Sequence, residues 1–186
     1  ASRMGAEVDM AATVGDDGFG DKLIGKMKEE KINIDNIGVS DKKTTLAFVA
    51  LNESAEPEFS FYRGADLDIS QDQLQHGYDI VHFGSLPFTD KDLSKMLENY
   101  ARESEALISF DPNLRSELAD EEYMERVKRF IEVSDLVFLS EEENKNFEID
   151  SQEVIVTKGS EGAELITEEL NDEKKPPEVE AVDTTG

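Results

Sequence analysis

The second half of the chain alternates short apolar runs with stretches in which apolar residues recur every three or four positions. The short runs predict buried strands, and the periodic stretches predict amphipathic helices. We expect strands at 80–84, 106–110, 136–139, 154–157 and 163–166, and helices at 89–104, 120–133 and 141–147. This rhythm is typical of an α/β fold, in which helices cover both faces of a largely parallel sheet.

The first half predicts a strand, a turn, a helix and then a separate hairpin. Residues 7–14 have the β-favouring character of a strand, residues 15–20 form a glycine-rich turn, and a helix follows to about Lys31. Residues 44–51 and 58–62 predict two strands joined by a polar loop that contains proline. We therefore expect a small second sheet beside the main one.

Both ends of the sequence have the pattern of interrupted elements. Residues 1–6 resemble the last turn of a helix closed by a glycine, and residues 179–182 predict a short strand followed by a turn at 183–186. The acidic stretch 167–178 predicts a surface loop. We expect the chain to be part of a larger domain.

The charge balance limits the partners that the protein can attract. The chain has 44 acidic and 19 basic residues and a net charge of -25, yet 38% of its residues are hydrophobic, which indicates a folded protein with an acidic surface. Such a surface opposes broad attraction to nucleic acid or anionic membrane, so we expect neither partner. A halophilic source is one hypothesis, because salt screens the self-repulsion, and an acidic mesophilic protein is the alternative.

Several kinds of site are excluded or disfavoured by composition. The absence of cysteine excludes a disulfide framework and a thiolate metal site. His76 and His82 have no cluster of ligands near them in the sequence, which argues against a zinc site. No apolar run approaches the ~18 residues of a membrane span, and no leader resembles a signal peptide, so we expect a cytoplasmic location.

Polar segments follow the predicted strands, where an open α/β sheet binds its ligands. These segments should line one edge of the sheet, and they are Gly84 with Ser85, and residues 111–115, 140–143, 158–162 and 183–186. Two glycines in 158–162 would allow the backbone to approach a ligand closely.

Those segments, in that order, resemble motifs of the ribokinase (PfkB) family of carbohydrate kinases. Gly5 and Gly15, with nine residues between them, are similar to the tail of the first family signature, and residues 183–186 resemble the opening of the second. The match runs across essentially the whole chain. It implies a ribokinase-like three-layer α/β/α sandwich with a small β lid at about residues 44–62, the whole chain 1–186 being part of one kinase domain.

The resemblance implies an ATP-dependent sugar kinase with Mg²⁺ as cofactor and, as a further expectation, a monovalent cation such as K⁺. The sugar is expected to be selected by Arg63, Asp66, Gly84 and Ser85. The nucleotide is expected to contact Thr157, Gly159, Gly162, Ser140, Asn113, Arg115, Asp183 and Thr184. The metal is expected near Glu143 and Asp111. The turn of Thr185 and Gly186 is expected to hold the developing phosphate charge, and the family's general base would be an Asp at the third position after Gly186.

Each motif also has an ordinary structural explanation. Acidic residues that open a helix, such as Glu142 and Glu143, stabilise its dipole. Residues 157–162 can form a tight hairpin, and residues 111–115 can form an Asp-Pro turn whose Arg115 makes a surface ion pair. Ser140 also stands where many family members have Asn.

The resemblance leaves several functions open. Residues 46–49 and 59–63, with Asp66, are similar to the lid of fructokinases, so fructose is favoured over ribose. A ribokinase, a 2-keto-3-deoxygluconate kinase and a nucleoside kinase are alternatives with the same fold. A non-catalytic protein that binds sugar or nucleotide is an alternative of another class. A homodimer formed through the lid is a further expectation.

Overall fold

The computed structural model of the chain describes residues 1–51, 57–114, 117–118, 120–147, 149, 153–167 and 169–177. The described strands are β1 (Ala12–Gly15), β2 (Ile37–Ser40), β3 (Leu46–Leu51), β4 (Pro57–Tyr62), β5 (Ile80–Gly84), β6 (Leu107–Asp111), β7 (Leu136–Ser140), β8 (Glu153–Thr157), β9 (Ala163–Ile166) and β10 (Asn171–Lys174). The described α-helices are α1 (Gly18–Glu29), α2 (Lys91–Glu103), α3 (Glu121–Ile131) and α4 (Glu141–Asn146). Short 3₁₀ turns lie between several of them.

The largest sheet has six strands in the order β10-β9-β8-β7-β6-β5. Strands β5 to β8 run parallel, and β9 and β10 are added antiparallel. The predicted parallel arrangement is therefore confirmed for the strands that alternate with helices. Because neighbouring parallel strands end at the same edge, the polar segments that follow them are brought to one side of the sheet.

Helices α2 and α3 pack an aromatic core against this sheet. Their N-termini are set by Asp90 and Asp120, whose carboxylates accept hydrogen bonds from the amides of Leu93 and Tyr123. Four phenylalanine rings meet in the core with centroids 4.6 to 5.3 Å apart, and they belong to Phe83, Phe88, Phe110 and Phe130. Phe88 lies in a 3₁₀ turn (Leu86–Thr89) that precedes α2, so the helix begins slightly later than its predicted start at residue 89.

The hairpin β3–β4, which we call the lid, is antiparallel, as predicted. Its register pairs Leu46 with Tyr62 and Val49 with Phe59. Phe48 and Tyr62 meet edge to face with ring centroids 5.5 Å apart. The connecting residues 52–56 lie outside the described residues.

The first part of the chain forms a second parallel pair, β1 with β2, connected through α1. The predicted strand at 7–14 was placed too early, since β1 covers Ala12–Gly15 and residue Asp9 makes an isolated bridge to Asn33. The predicted helix was placed too late, since α1 begins at Gly18. The physical reason is that Asp17 accepts hydrogen bonds from the next amides and so begins the helix inside the expected turn.

Two strands lie where none was predicted. β2 is only four residues long, and β10 lies inside the acidic stretch that we expected to be a loop. At the start of the chain, a 3₁₀ turn (Ser2–Met4) is closed by Gly5 at φ 94°, in agreement with the expected helix end. The predicted strand at 179–182 lies outside the described residues. Among the helices that the structure describes, none is long and apolar enough to cross a membrane.

Candidate functional site

The carboxyl ends of the parallel strands bring four of the predicted polar segments to one edge. Gly84 of β5 pairs with Asp111 of β6, and Ser140 of β7 pairs with Thr157 of β8. Ser85, directly after β5, is buried. The fifth segment, which contains Asp183, Thr184, Thr185 and Gly186, lies outside the described residues, as does Arg115.

The start of α4 is built around the Glu143 carboxylate. One oxygen accepts hydrogen bonds from the Ser140 amide at 2.8 Å and from the Ser140 hydroxyl at 2.7 Å. The Ser140 hydroxyl in turn caps the Glu143 amide, which completes a capping box. The other carboxylate oxygen accepts from the amide of Leu114. This buried side chain therefore ties the loop after β6 to the end of β7.

The loop after β6 passes through a backbone conformation that favours asparagine. Asn113 has φ 39°, in the left-handed region, where Asn is one of the few side chains that is readily tolerated. Pro112 before it is fully buried. The geometry agrees with a fixed Asp-Pro turn, and it places Asp111 and Asn113 at the same edge as Ser140.

The segment after β8 is a tight hairpin in which Gly159 and Gly162 both have positive φ. The Lys158 amide donates to the carbonyl of Gly162 at 2.8 Å, and a 3₁₀ turn (Gly159–Glu161) lies between them. Gly162 has φ 113°, and a Cβ there would meet the backbone of Lys174 in β10. Lys158 is held by Glu164 at 2.7 Å and by Glu173 at 3.3 Å, and the interaction with Lys158 lowers the pKa of Glu164.

At the base of the lid, Arg63 and Asp66 form an ion pair with each other. Arg63 also donates to the hydroxyl of Thr89 at 2.8 Å and to the carbonyl of Leu86 at 3.3 Å. Asp66 accepts hydrogen bonds from the hydroxyl of Thr45 and from the amide of Gly64. The two residues that we expected to select the sugar are therefore fixed together and join the lid to the turn that follows β5.

A family model described as pfkB family carbohydrate kinase matches residues 1–186. This chain belongs to that family. The match confirms the resemblance drawn from the motifs, and it extends over every residue of this chain.

Relatives and solved structures agree with the family. The chain is 30% identical to Probable fructokinase-4 of Arabidopsis thaliana over an alignment of 214 residues. The alignment covers 100% of this chain and 65% of that protein. An uncharacterized sugar kinase from Pyrococcus horikoshii superposes with a TM-score of 0.86 at 30% identity, covering 100% of this chain and 66% of that one. A fructokinase with bound ATP from Xylella fastidiosa superposes with a TM-score of 0.84 at 27% identity, covering 98% and 65%. The fold is thus the expected ribokinase-like α/β fold.

The chain spans a little under two thirds of the length of Probable fructokinase-4. Within the described residues, no group of three or more His, Asp or Glu side chains is placed to hold a metal ion. The two histidines have other contacts: His82 lies 2.9 Å from the Ser109 hydroxyl, and the His76 ring stacks on Tyr100.

The residues at the base of the lid were partly missed by sequence reasoning. Asp17, Thr44 and Thr89 were not singled out, although all three bind the lid or the arginine at its base. Hydrogen bonds lower the pKa of Asp17 to about 2, and the largest contribution comes from the backbone amide of Thr44, followed by the Gly20 amide and the Thr44 hydroxyl. Asp17 directly precedes α1, and an Asp at that position is typical of an N-cap. The signal was missed because the helix was expected only after residue 20.

Proposed function

We propose that the gene product containing this chain is an ATP-dependent sugar kinase that transfers the γ-phosphate of ATP to a sugar hydroxyl, with fructose as the sugar. The observation that carries the proposal is the strand-end edge of a pfkB-family fold, which has the base of an aromatic lid fixed beside it through Arg63. Fructose is supported by the relatives, which include several named fructokinases.

The nucleotide side of the site would be formed by the segments after β6, β7 and β8. We assign nucleotide contacts to Thr157, Gly159, Gly162, Ser140, Asn113, Arg115, Asp183 and Thr184. Gly162 packs on the backbone of Lys174, whereas no atom lies within 4 Å of the Cβ position of Gly159, which leaves the Gly159 backbone open to a ligand. The solved structures support ATP as the nucleotide, because one of the superposed fructokinases contains it.

Mg²⁺ fits the chemistry of this edge, because it prefers carboxylates and retained waters together with substrate phosphates. When bound, it would neutralise charge on the phosphates. We assign Asp111 and Glu143 as the carboxylates nearest to it. Since the Glu143 oxygens already accept three hydrogen bonds from protein groups, we assign Glu143 a hydrogen bond to metal-bound water instead of direct coordination.

Phosphoryl transfer depends mainly on positioning and on stabilising charge. We assign charge stabilisation to the backbone amides of Thr185 and Gly186, which open the family's second signature. We assign the general base to an Asp at the third position after Gly186, as the resemblance implies. On the sugar side, Arg63, Asp66, Gly84 and Ser85 would shape the pocket beneath the lid.

The test is a measurement of ADP release by the full gene product with ATP, Mg²⁺ and a panel of fructose, ribose, 2-keto-3-deoxygluconate and a nucleoside. We expect the highest kcat/KM with fructose. Gly186→Ala should lower kcat by about 10²-fold, because it disturbs a turn of amide donors. Gly25→Ala is the matched control, since a Cβ at Gly25 on α1 would meet nothing within 4 Å. ATP binding without phosphorylation of any of these acceptors would instead support the non-catalytic alternative.

Three further parts of the proposal have separate tests. Phe48 and Tyr62 are 56% and 65% exposed on the lid, and we propose that they join two copies into a homodimer, which sedimentation of Phe48→Ser against the unchanged protein would test.

We also propose K⁺ as an activating monovalent cation, to be tested by replacing KCl with choline chloride. A cytoplasmic location is proposed as well, to be tested by cell fractionation.

A further inference from the structure

The carboxylate of Asp17 binds two separate parts of the chain. One oxygen caps α1, accepting from the amides of Phe19 at 3.1 Å and Gly20 at 3.0 Å. The same oxygen accepts from the Thr44 hydroxyl at 2.8 Å, and the second oxygen accepts from the Thr44 amide at 2.9 Å. A single side chain thus connects the start of a helix to the residue that leads into the lid.

Thr44 is bound by Asp17 and also by the end of β1. It is 6% exposed, and its hydroxyl accepts a hydrogen bond of 2.9 Å from the amide of Gly15. A Cβ at Gly15 would lie 2.8 Å from the carbonyl carbon of Lys43, so the chain leading into the lid packs directly on the Gly15 backbone. The turn after β1 therefore packs against the residues that lead into β3 and supports them.

The second lid strand is fixed to the first at the same level. The Ala65 amide donates to the carbonyl of Lys43 at 2.9 Å, and the Gly64 amide donates to the Thr45 hydroxyl at 2.8 Å. Any movement of Thr44 away from Asp17 must therefore strain the contacts that hold the other connection of the lid.

We propose that Asp17 is a positioning residue that fixes the orientation of the lid over the sugar pocket, an inference that rests on the proposed sugar kinase function. Its part in the reaction is indirect, because it acts through Thr44 and the lid. The caps of α2 and α3 show the ordinary arrangement of an N-cap. Asp90 and Asp120 accept hydrogen bonds from Leu93 and Tyr123, within the helices that they begin.

The substitution Asp17→Asn separates the capping of α1 from the binding of Thr44. Asparagine is as good an N-cap as aspartate, and its oxygen can still accept from Phe19 and Gly20. Its amide group, however, is a donor and would face the donor N–H of Thr44. Asp120→Asn is the matched control, because it makes the same chemical change at the N-cap of α3. Thr44→Val removes the hydroxyl from the other side of the contact, and Thr44→Ser restores it.

The experiment measures amide hydrogen exchange at Gly64 and Ala65, whose amides donate to Thr45 and Lys43, together with sugar kinetics of the full gene product. We expect Asp17→Asn and Thr44→Val to speed this exchange about tenfold and to raise the KM for the sugar about tenfold with a smaller change in kcat. Asp120→Asn and Thr44→Ser should do neither.

Unchanged exchange at Gly64 and Ala65 in both Asp17→Asn and Thr44→Val would overturn the proposal. Faster exchange without a change in the sugar KM would also overturn it, because the lid contact would then be structural only. If the unchanged protein phosphorylates no sugar, the proposed function fails, while the exchange comparison still decides whether Asp17 holds the lid.

Discussion

Glu143 accepts a hydrogen bond of 2.6 Å from the backbone amide of Leu114, 29 residues earlier in the chain. The same carboxylate caps its own helix through Ser140. The loop after β6 and the start of α4 therefore depend on one buried acidic side chain. That loop contains Asn113 of the candidate site and directly follows Asp111.

We predict that Glu143→Gln lowers the free energy of unfolding by about 2 kcal/mol, since the amide group cannot accept from every donor that now surrounds the carboxylate. Glu142→Gln should change it by less than ~0.5 kcal/mol, because Glu142 is exposed on the same helix. Urea unfolding of both variants checks the prediction. Equal effects of the two substitutions would show that the contact with Leu114 contributes nothing.

A second prediction concerns the hydroxyl that holds Arg63. Thr89→Val should lower the free energy of unfolding by about 1 kcal/mol, because it removes a hydrogen-bond acceptor for a largely buried guanidinium. Thr89→Ser retains the hydroxyl and should recover most of the loss. The measurement is again the midpoint of urea unfolding. A serine variant as unstable as the valine variant would point to lost packing instead.

A third prediction separates two glycines in the hairpin after β8. Both have positive φ, at 56° for Gly159 and 113° for Gly162, but only Gly162 lies against the backbone of Lys174. Gly159→Ala should therefore cost about 1 kcal/mol of left-handed strain, whereas Gly162→Ala should cost more than ~2 kcal/mol, because β10 must also move. Thermal unfolding of the two variants gives the order of their stabilities. The prediction would be wrong if Gly159→Ala were less stable than Gly162→Ala.

A fourth prediction follows from the depressed pKa of Asp17. Its folded-state pKa is about 2, below the value of about 3.9 for an unfolded chain, so its stabilising contribution is complete above pH 5 and is lost as pH falls toward 2. The stability advantage of the unchanged protein over Asp17→Asn should therefore shrink between pH 5 and pH 2. Chemical unfolding at several pH values measures it, and an advantage independent of pH would contradict the assigned cause.

A fifth prediction tests the hypothesis of a halophilic protein. With a net charge of -25, repulsion on the surface should weaken as the Debye length falls from about 10 Å at 0.1 M salt to about 3 Å at 1 M. We expect KCl over this range to raise the Tm by at least ~2–4 °C, the shift that about 1 kcal/mol produces in a protein of this size. A Tm that is unchanged or lower in 1 M KCl would favour the mesophilic alternative.

The sequence predicted the elements that local patterns define. Strand β5 was placed with its observed bounds, because a short apolar run between turn signals is a local property. Strand β10 was missed for the opposite reason. Its residues, Asn171–Lys174, are all polar, and the strand exists because its backbone pairs with β9. Nothing in its own side chains indicates that pairing.

The site was predictable to a similar degree. The motifs predicted the segments at the strand ends, because the position of a residue directly after a strand follows from the local sequence pattern. The contacts that fix the lid join residues 19 to 29 positions apart, such as Asp17 with Thr44 and Gly64 with Thr45. They depend on how two turns pack together, and periodicity carries no information about that packing.

The backbone of Lys43 lies between two glycines, Gly15 at the end of β1 and Gly64 in the segment after β4, and a Cβ on either one would collide with it. The chain therefore enters the lid between two backbone segments that leave space for only one peptide chain. Only a residue without a Cβ fits at either glycine. We therefore expect substitution of Gly15 or Gly64 to displace the lid as a whole, whereas a change at the exposed side chain of Phe48 should leave its position unchanged.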